Sequence, residues 1–205
     1  MQEERNGSMT TVCLIRHGET NWNAEGRLQG STDIPLNEVG YQQAKETADY
    51  FEGSEWDLIV CSPLKRAKQT AEAINERLNL PLIEMEDIKE RGFGDAEGLT
   101  IEERLAKYPD RNYPNKEQTD VFQKRIMGAL RTLSENYPDK KILFVAHGGV
   151  IHEILSILSN HSEEIRNTKL INACISNIEF HDNIWEIKDF NQVSHLTHYN
   201  DRGRV

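Results

Sequence analysis

The chain is 205 residues long, 37% hydrophobic, and carries a formal net charge of −10 at pH 7. That length suits one domain with a substantial core, and the composition is globular rather than disordered. So negative a charge excludes a general nucleic-acid or anionic-membrane surface, since both need a basic face, and no segment is long and apolar enough to span a bilayer.

Residues 1–8 are polar and non-periodic, with no apolar signal-peptide region, so Met9 is a candidate natural start and the stretch before it an expected flexible tail. Val12–Ile15 is a short apolar run of the kind that forms a buried parallel strand, and it stops at Arg16, His17 and Gly18. Ligands in open α/β sheets bind beyond the carboxyl ends of strands. The residues there are a permanent cation, an imidazole and a glycine. Arginine offers a planar fork for phosphate and neutral imidazole is a nucleophile near neutral pH, so the pairing suggests a histidine that attacks something anionic.

Ala24–Leu36 lacks apolar periodicity and is expected to be a loop, with Asn23, Arg27, Gln29 and Gly30 on or beside it. Asn37 is placed to cap a helix from Glu38 to about Phe51, ended by Gly53, with Val39, Ala44, Ala48 and Phe51 as its apolar stripe. Leu58–Cys61 is a second strand. It runs into Ser62-Pro63 and a helix reaching about Leu78, with the proline expected in the first turn. Arg66 then lies near a helix N-terminus, where unpaired N–H groups favour an anion. A strand at Leu82–Glu84 precedes a glycine-rich loop, Ile88–Gly98; helices follow at about Thr100–Lys107 and Thr119–Asn136. The irregular Tyr108–Asn115 between them is a candidate pocket wall.

Ile142–Ala146 repeats the first layout, ending in His147, Gly148 and Gly149. Two strands that each deliver His-Gly at the carboxyl end bring two imidazoles to one crevice. A helix from about Val150 to Leu158 follows, then a hairpin of Cys174–His181 and Ile184–Asp189 around Asp182-Asn183; 197–205 is polar and expected to be a flexible tail. Alternation of strand and helix argues for an α/β sandwich with a largely parallel sheet. Cys13, Cys61 and Cys174 are odd in number, widely spaced and set in or beside apolar runs, which fits buried free thiols and a cytoplasmic location.

Taken together, Arg16-His17-Gly18-Glu19-Thr20 with Trp22-Asn23, Ser62-Pro63-Leu64-Lys65-Arg66-Ala67, Glu90-Arg91 before Phe93-Gly94, and His147-Gly148 resemble the histidine phosphatase superfamily, also called phosphoglycerate mutase-like. The motifs stand in the family's order, from about Thr11 to about Leu196. The resemblance implies a three-layer αβα sandwich whose mixed, mostly parallel sheet has one antiparallel strand, in a single domain over residues 9–196. It also implies a catalytic set: His17 as nucleophile forming a phosphohistidine, Arg16, Arg66 and His147 binding phosphate, and Glu90 as proton donor. Asn23, Gln29, Gly30 and Gly148 are the further substrate-binding candidates. Neither metal nor other cofactor is implied, since preorganised cations can stabilise the transferring phosphoryl group.

The family divides chiefly into mutases and phosphatases, and several features resemble the phosphatase branch. These are Gly26-Arg27-Leu28-Gln29-Gly30 followed by Asp33-Ile34-Pro35-Leu36, Gly149 where mutases carry asparagine, Phe93 in place of a common tyrosine, and a short connection from Gly98 to His147. The expected function is hydrolysis of small-molecule phosphate esters, with broad-specificity and α-ribazole phosphatases as the similar types. Phosphoglycerate mutase-type transfer and a non-catalytic phospho-ligand-binding relative are the alternatives. Lys107, Arg111 and Lys116 are candidate contacts to a second anionic group, with solvated side chains as the simpler reading. His152, His161, His181, His195, His198 and Glu19 are expected to be structural or exposed. Oligomeric state is not legible in the sequence.

Overall fold

The structure, a computed structural model, describes residues 8–200, so residues 1–7 and 201–205 of the two expected tails lie outside it. Six strands form one sheet in the order β3-β2-β4-β1-β5-β6, comprising β1 (Thr10–Arg16), β2 (Leu58–Cys61), β3 (Leu82–Glu84), β4 (Lys141–Ala146), β5 (Ile175–His181) and β6 (Ile184–Gln192). Strands β1 to β4 pair in parallel, whereas β5 runs antiparallel to both β1 and β6. Only β5 therefore opposes the rest, in keeping with the mixed sheet expected.

Residue alternation along the strands builds two cores. Val12 and Leu14 of β1, with Ile142 and Phe144 of β4, face α5 (Thr119–Asn136) and α6 (Gly148–Leu158). Cys13 and Ile15, with Leu143 and Val145, face α2 (Glu38–Phe51) and α3 (Lys65–Leu78). Strands buried on both faces have no polar alternation, which is why they appear in the sequence as continuous apolar runs. Cys13, Cys61 and Cys174 are buried free thiols, and burial pushes the Cys61 and Cys174 thiols up to about 12. None of the described helices is long and apolar enough to cross a membrane.

Local differences from the sequence reading have local causes. A five-residue helix, α1 (Asn21–Glu25), opens the stretch expected to be loop; the Thr20–Asn23 capping box forms it, and it buries no residue that would have marked it. Pro63 precedes the α3 cap, Leu64, and is not in the first turn. Val39 is 44% exposed, and the inner face of α2 instead uses Gly40, Gln43 and Thr47 with Ala44, Ala48 and Phe51. Short 3-10 turns, Glu86–Ile88 and Gly94–Ala96, shape the glycine-rich loop. The remaining helices are α4 (Ile101–Lys107) and α7 (Glu163–Asn167). Thr197, assigned to a free tail, is tied to Glu46 through its amide and its hydroxyl.

Candidate active site

Strand register brings the two His-Gly motifs together. Arg16 pairs with Ala146 across β1 and β4, and Cys61 pairs with Val145 across β2 and β4. The next residues, His17, His147 and Ser62, therefore share the carboxyl edge of the sheet. The two imidazole centroids are 5.3 Å apart, and Ser62 Oγ lies 2.7 Å from His147 Nε2.

His17 is 2% exposed, and its Nδ1 sits 2.6 Å from the Gly18 carbonyl oxygen. A carbonyl only accepts, so Nδ1 carries the hydrogen and Nε2 keeps a lone pair. Burial pushes the His17 pKa well below its ordinary value, with Arg66 and Arg16 adding to the effect against the opposing Gly18 bond. Burial followed by Arg66, His17 and Arg16 does the same to His147. Both rings are thus neutral near pH 7, and His17 has the state that a nucleophile needs.

The cations are held by backbone oxygens. Arg16 donates to the Leu170 carbonyl. Arg66 donates to Thr32 and Gly30 carbonyls at 2.7 Å each, while its buried Nε has no hydrogen-bond partner among the described residues. Burial lowers the Arg66 guanidinium to about 10, which leaves it charged at neutral pH. Asn23 and Gln29 use their amide oxygens on Thr20, leaving the amide nitrogens as donors beside the cavity.

Glu90 closes the site from another layer. Its Oε2 accepts from Gly149 N at 2.8 Å, so the carboxylate sits on the open N-terminus of α6, and Oε1 accepts from Arg91 N at 2.9 Å. A Cβ at position 149 would lie 2.4 Å from Glu90 Oε1, so the carboxylate occupies space that only glycine leaves open.

The cavity has a volume of about 400 Å³, and Arg16, His17, Asn23, Gln29, Gly30, Arg66, Glu90 and Gly148 all line it. His147 lies behind them, fully buried. The candidate set named from sequence therefore converges. Glu19, in contrast, turns its carboxylate to Asn37 Nδ2 at 2.9 Å, as expected of a structural residue. His152 lines the cavity although no motif singled it out, with Nε2 on the Ile165 carbonyl. Of the three side chains considered for a second anion, Arg111 lines the cavity, while Lys107 and Lys116 rest over the rings of Tyr108 and Tyr113.

Other site residues escaped the sequence reading. Asn172 donates to the His17 and Gly18 carbonyls and to Asn23 Oδ1, holding the turn after β1. Arg125 donates to the Asp87, Lys89 and Glu90 carbonyls and to both oxygens of Glu117, so it fastens the loop that carries Glu90. Arg104 is buried in the cavity wall. Each acts across a long sequence separation, and no local motif marks it.

A family profile described as histidine phosphatase superfamily (branch 1) matches residues 12–193. The chain belongs to the histidine phosphatase superfamily. Among similar proteins, an uncharacterized phosphatase named PhoE from Bacillus subtilis is 54% identical, over 92% of this chain and 98% of that protein. A metal-independent phosphoserine phosphatase of Arabidopsis thaliana is 36% identical, over 92% of this chain and 84% of that one. The structure of Bacillus stearothermophilus YhfR superposes with a TM-score of 0.84 at 27% identity, covering 91% of this chain and 98% of the other. The superfamily's αβα sandwich is the fold described above.

Proposed function

We propose that this phosphatase hydrolyses small phosphate monoesters through a phosphohistidine on His17, without a metal ion. The observation that carries the reading is the His17 tautomer: Nδ1–H is committed to the Gly18 carbonyl and the buried, neutral ring leaves Nε2 to attack. The phosphatase names of the relatives support hydrolysis over mutase transfer, and the name of one of them supports small metabolites as substrates.

In the first step Nε2 bonds to phosphorus as the ester P–O bond breaks, and Glu90 gives its proton to the leaving alkoxide. Arg16, Arg66 and the buried His147 meet the charge on the equatorial oxygens. The Gly18 carbonyl faces the Nδ1–H of the now cationic ring. In the second step Glu90 takes a proton from water, the water oxygen bonds to phosphorus, and the P–N bond breaks to release phosphate and restore neutral His17. Cytoplasmic work fits the buried free thiols.

Rapid-quench labelling tests both steps. A phosphate ester should leave an acid-labile phosphoryl group on His17, absent in His17→Ala, and chelator should not abolish turnover. Glu90→Gln should slow first-step phosphorylation by about 10²–10⁴ for an alkyl phosphate and far less for nitrophenyl phosphate. Label on a serine or aspartate, or equal losses for the two esters, would contradict the assignment.

A further inference from the structure

One amide group, that of Asn172, meets three acceptors at the nucleophile turn. Its Nδ2 lies 3.1 Å from the His17 carbonyl oxygen, 3.3 Å from that of Gly18 and 3.1 Å from Asn23 Oδ1, and the residue is 6% exposed. An NH₂ group has two hydrogens. One goes to Asn23 Oδ1, and the other is shared between the two carbonyls. The orientation follows from the chain itself: Thr20 N donates to Asn23 Oδ1, so that atom is an acceptor and the Asn172 atom facing it is the nitrogen.

A buried donor ordinarily serves a buried acceptor that would otherwise go without. None of these three needs it. The His17 carbonyl accepts from Ala173 N at 3.1 Å, the Gly18 carbonyl faces His17 Nδ1 at 2.6 Å, and Asn23 Oδ1 has Thr20 N at 3.1 Å. The arrangement is also held from both sides. Gln43 Oε1 accepts from Glu19 N at 2.9 Å, which locks the peptide plane that carries the Gly18 carbonyl. Asn191 accepts from Ile171 N through Oδ1 and donates to the Lys169 carbonyl through Nδ2, and so holds the segment that carries Asn172 into β5. A redundant, rigidly placed donor on the carbonyl that orients the catalytic ring acts on the charge of that ring.

We propose that Asn172 is a positioning residue that shortens the life of the phosphohistidine by competing with His17 for the Gly18 carbonyl. The proposal rests on the phosphohistidine reading of His17. While the phosphoryl group is on Nε2 the ring is cationic, and its Nδ1–H makes a charge-assisted bond to the Gly18 oxygen. A second donor draws on the negative charge of the same oxygen and weakens that support. When the water oxygen bonds to phosphorus and the P–N bond breaks, the electron pair returns to Nε2 and the positive charge disappears. A ring whose cation is held less firmly therefore leaves phosphorus more readily, and Asn172 tips the site toward hydrolysis rather than a stored phosphoryl group.

Asn172→Leu tests it, since leucine has the same branching, lacks the donor and leaves each acceptor its other partner. With the Gly18 carbonyl no longer shared, the Nδ1 proton resonance of His17 should move downfield in the free protein. Rapid-quench labelling with nitrophenyl phosphate, followed by a chase with unlabelled ester, should show phosphohistidine decaying about tenfold more slowly than in the wild type, the worth of one hydrogen bond. The fraction of enzyme carrying label at steady state should rise. A merely structural loosening of the turn acts in the opposite sense, slowing formation of the label and lowering its yield. Asn172→Ala, which serves if the leucine variant does not fold, should shift both readings in the same direction but less, because water can enter the space and donate. An unmoved Nδ1 proton, or label that decays as fast as in the wild type, overturns the proposal. If the wild-type protein forms no label on His17, the phosphohistidine reading fails by itself, and the Nδ1 resonance still decides whether Asn172 competes for the Gly18 carbonyl.

Discussion

Ser62 determines which nitrogen of His147 bears a hydrogen. Its Oγ accepts from Leu64 N at 3.3 Å, and the described hydrogen bonds offer its own proton no acceptor other than His147 Nε2 at 2.7 Å. Nε2 is then the acceptor, which makes Nδ1, buried and without a partner among the described residues, an N–H donor for the phosphoryl group. Ser62 is a positioning residue in this scheme, since it acts through the imidazole. Ser62→Ala should lower kcat about tenfold, the worth of one well-placed hydrogen bond. Nitrogen-15 shifts of His147 should move from a single Nδ1–H tautomer to a mixture. A slower enzyme with an unchanged His147 spectrum would assign Ser62 to packing alone.

At the scale of elements, Glu90 lies between the two short 3-10 turns of its loop, outside any helix or strand, and the loop is held by α5. Arg125, on that helix, donates to three carbonyls, those of Asp87, Lys89 and Glu90, and pairs with Glu117 at 2.7 Å, where the side chains are 18% and 19% exposed. Glu117 in turn accepts from Gly92 N. Burial pushes the Glu117 pKa up, but the Arg125 and Gly92 bonds outweigh it and the net shift is down. Replacing Arg125 by Met leaves three carbonyls and a carboxylate short of donors. We expect a loss of about 1–3 kcal/mol in urea unfolding, below the full buried-pair figure because water reaches both partners. Alkyl phosphates should lose more activity than aryl phosphates, because Glu90 is displaced from the leaving oxygen. A stability loss with both ester types slowed equally would separate the Arg125 anchor from Glu90.

For the whole molecule, the buried imidazoles couple function to pH stability. His17 and His147 have folded-state pKa values well below 6.5, through burial first and the neighbouring arginines second. As pH falls through 6.5 the unfolded chain binds protons that the folded chain refuses, so stability present above that pH is lost below it. Each histidine contributes a slope that approaches about 1.4 kcal/mol per pH unit below 6.5, so the pair approaches about 2.8. Asp57 and Glu117, with lowered carboxylate values, act in the same direction at lower pH. His181, raised by Glu186, acts oppositely but is exposed and screened. Urea titrations from pH 7 to 5.5 should show the decline, while the acid limb of kcat/KM lies well below 6.5 because free His17 stays neutral. A flat stability profile would mean that the folded protein protonates these rings.

Four of the motif residues were legible because each follows or ends a short apolar strand or opens a helix, positions that hydrophobic pattern alone marks. Arg16, His17 and His147 stand at strand ends, Arg66 in the first turn of α3, and the two-sided burial of the sheet was visible as unbroken apolar runs. Glu90 was recoverable only through the resemblance, since by itself it sits in a charged stretch. What assembles the site is register: Arg16 opposite Ala146 and Cys61 opposite Val145 bring three sequence-distant residues to one edge. Asn172, Arg125 and Arg104 stayed hidden because a polar side chain shows no periodicity, and its role depends on partners far away in sequence. Whether an arginine on a short helix is solvated or buried beside a catalytic cavity depends on how the neighbouring layers pack, and only the tertiary structure decides that.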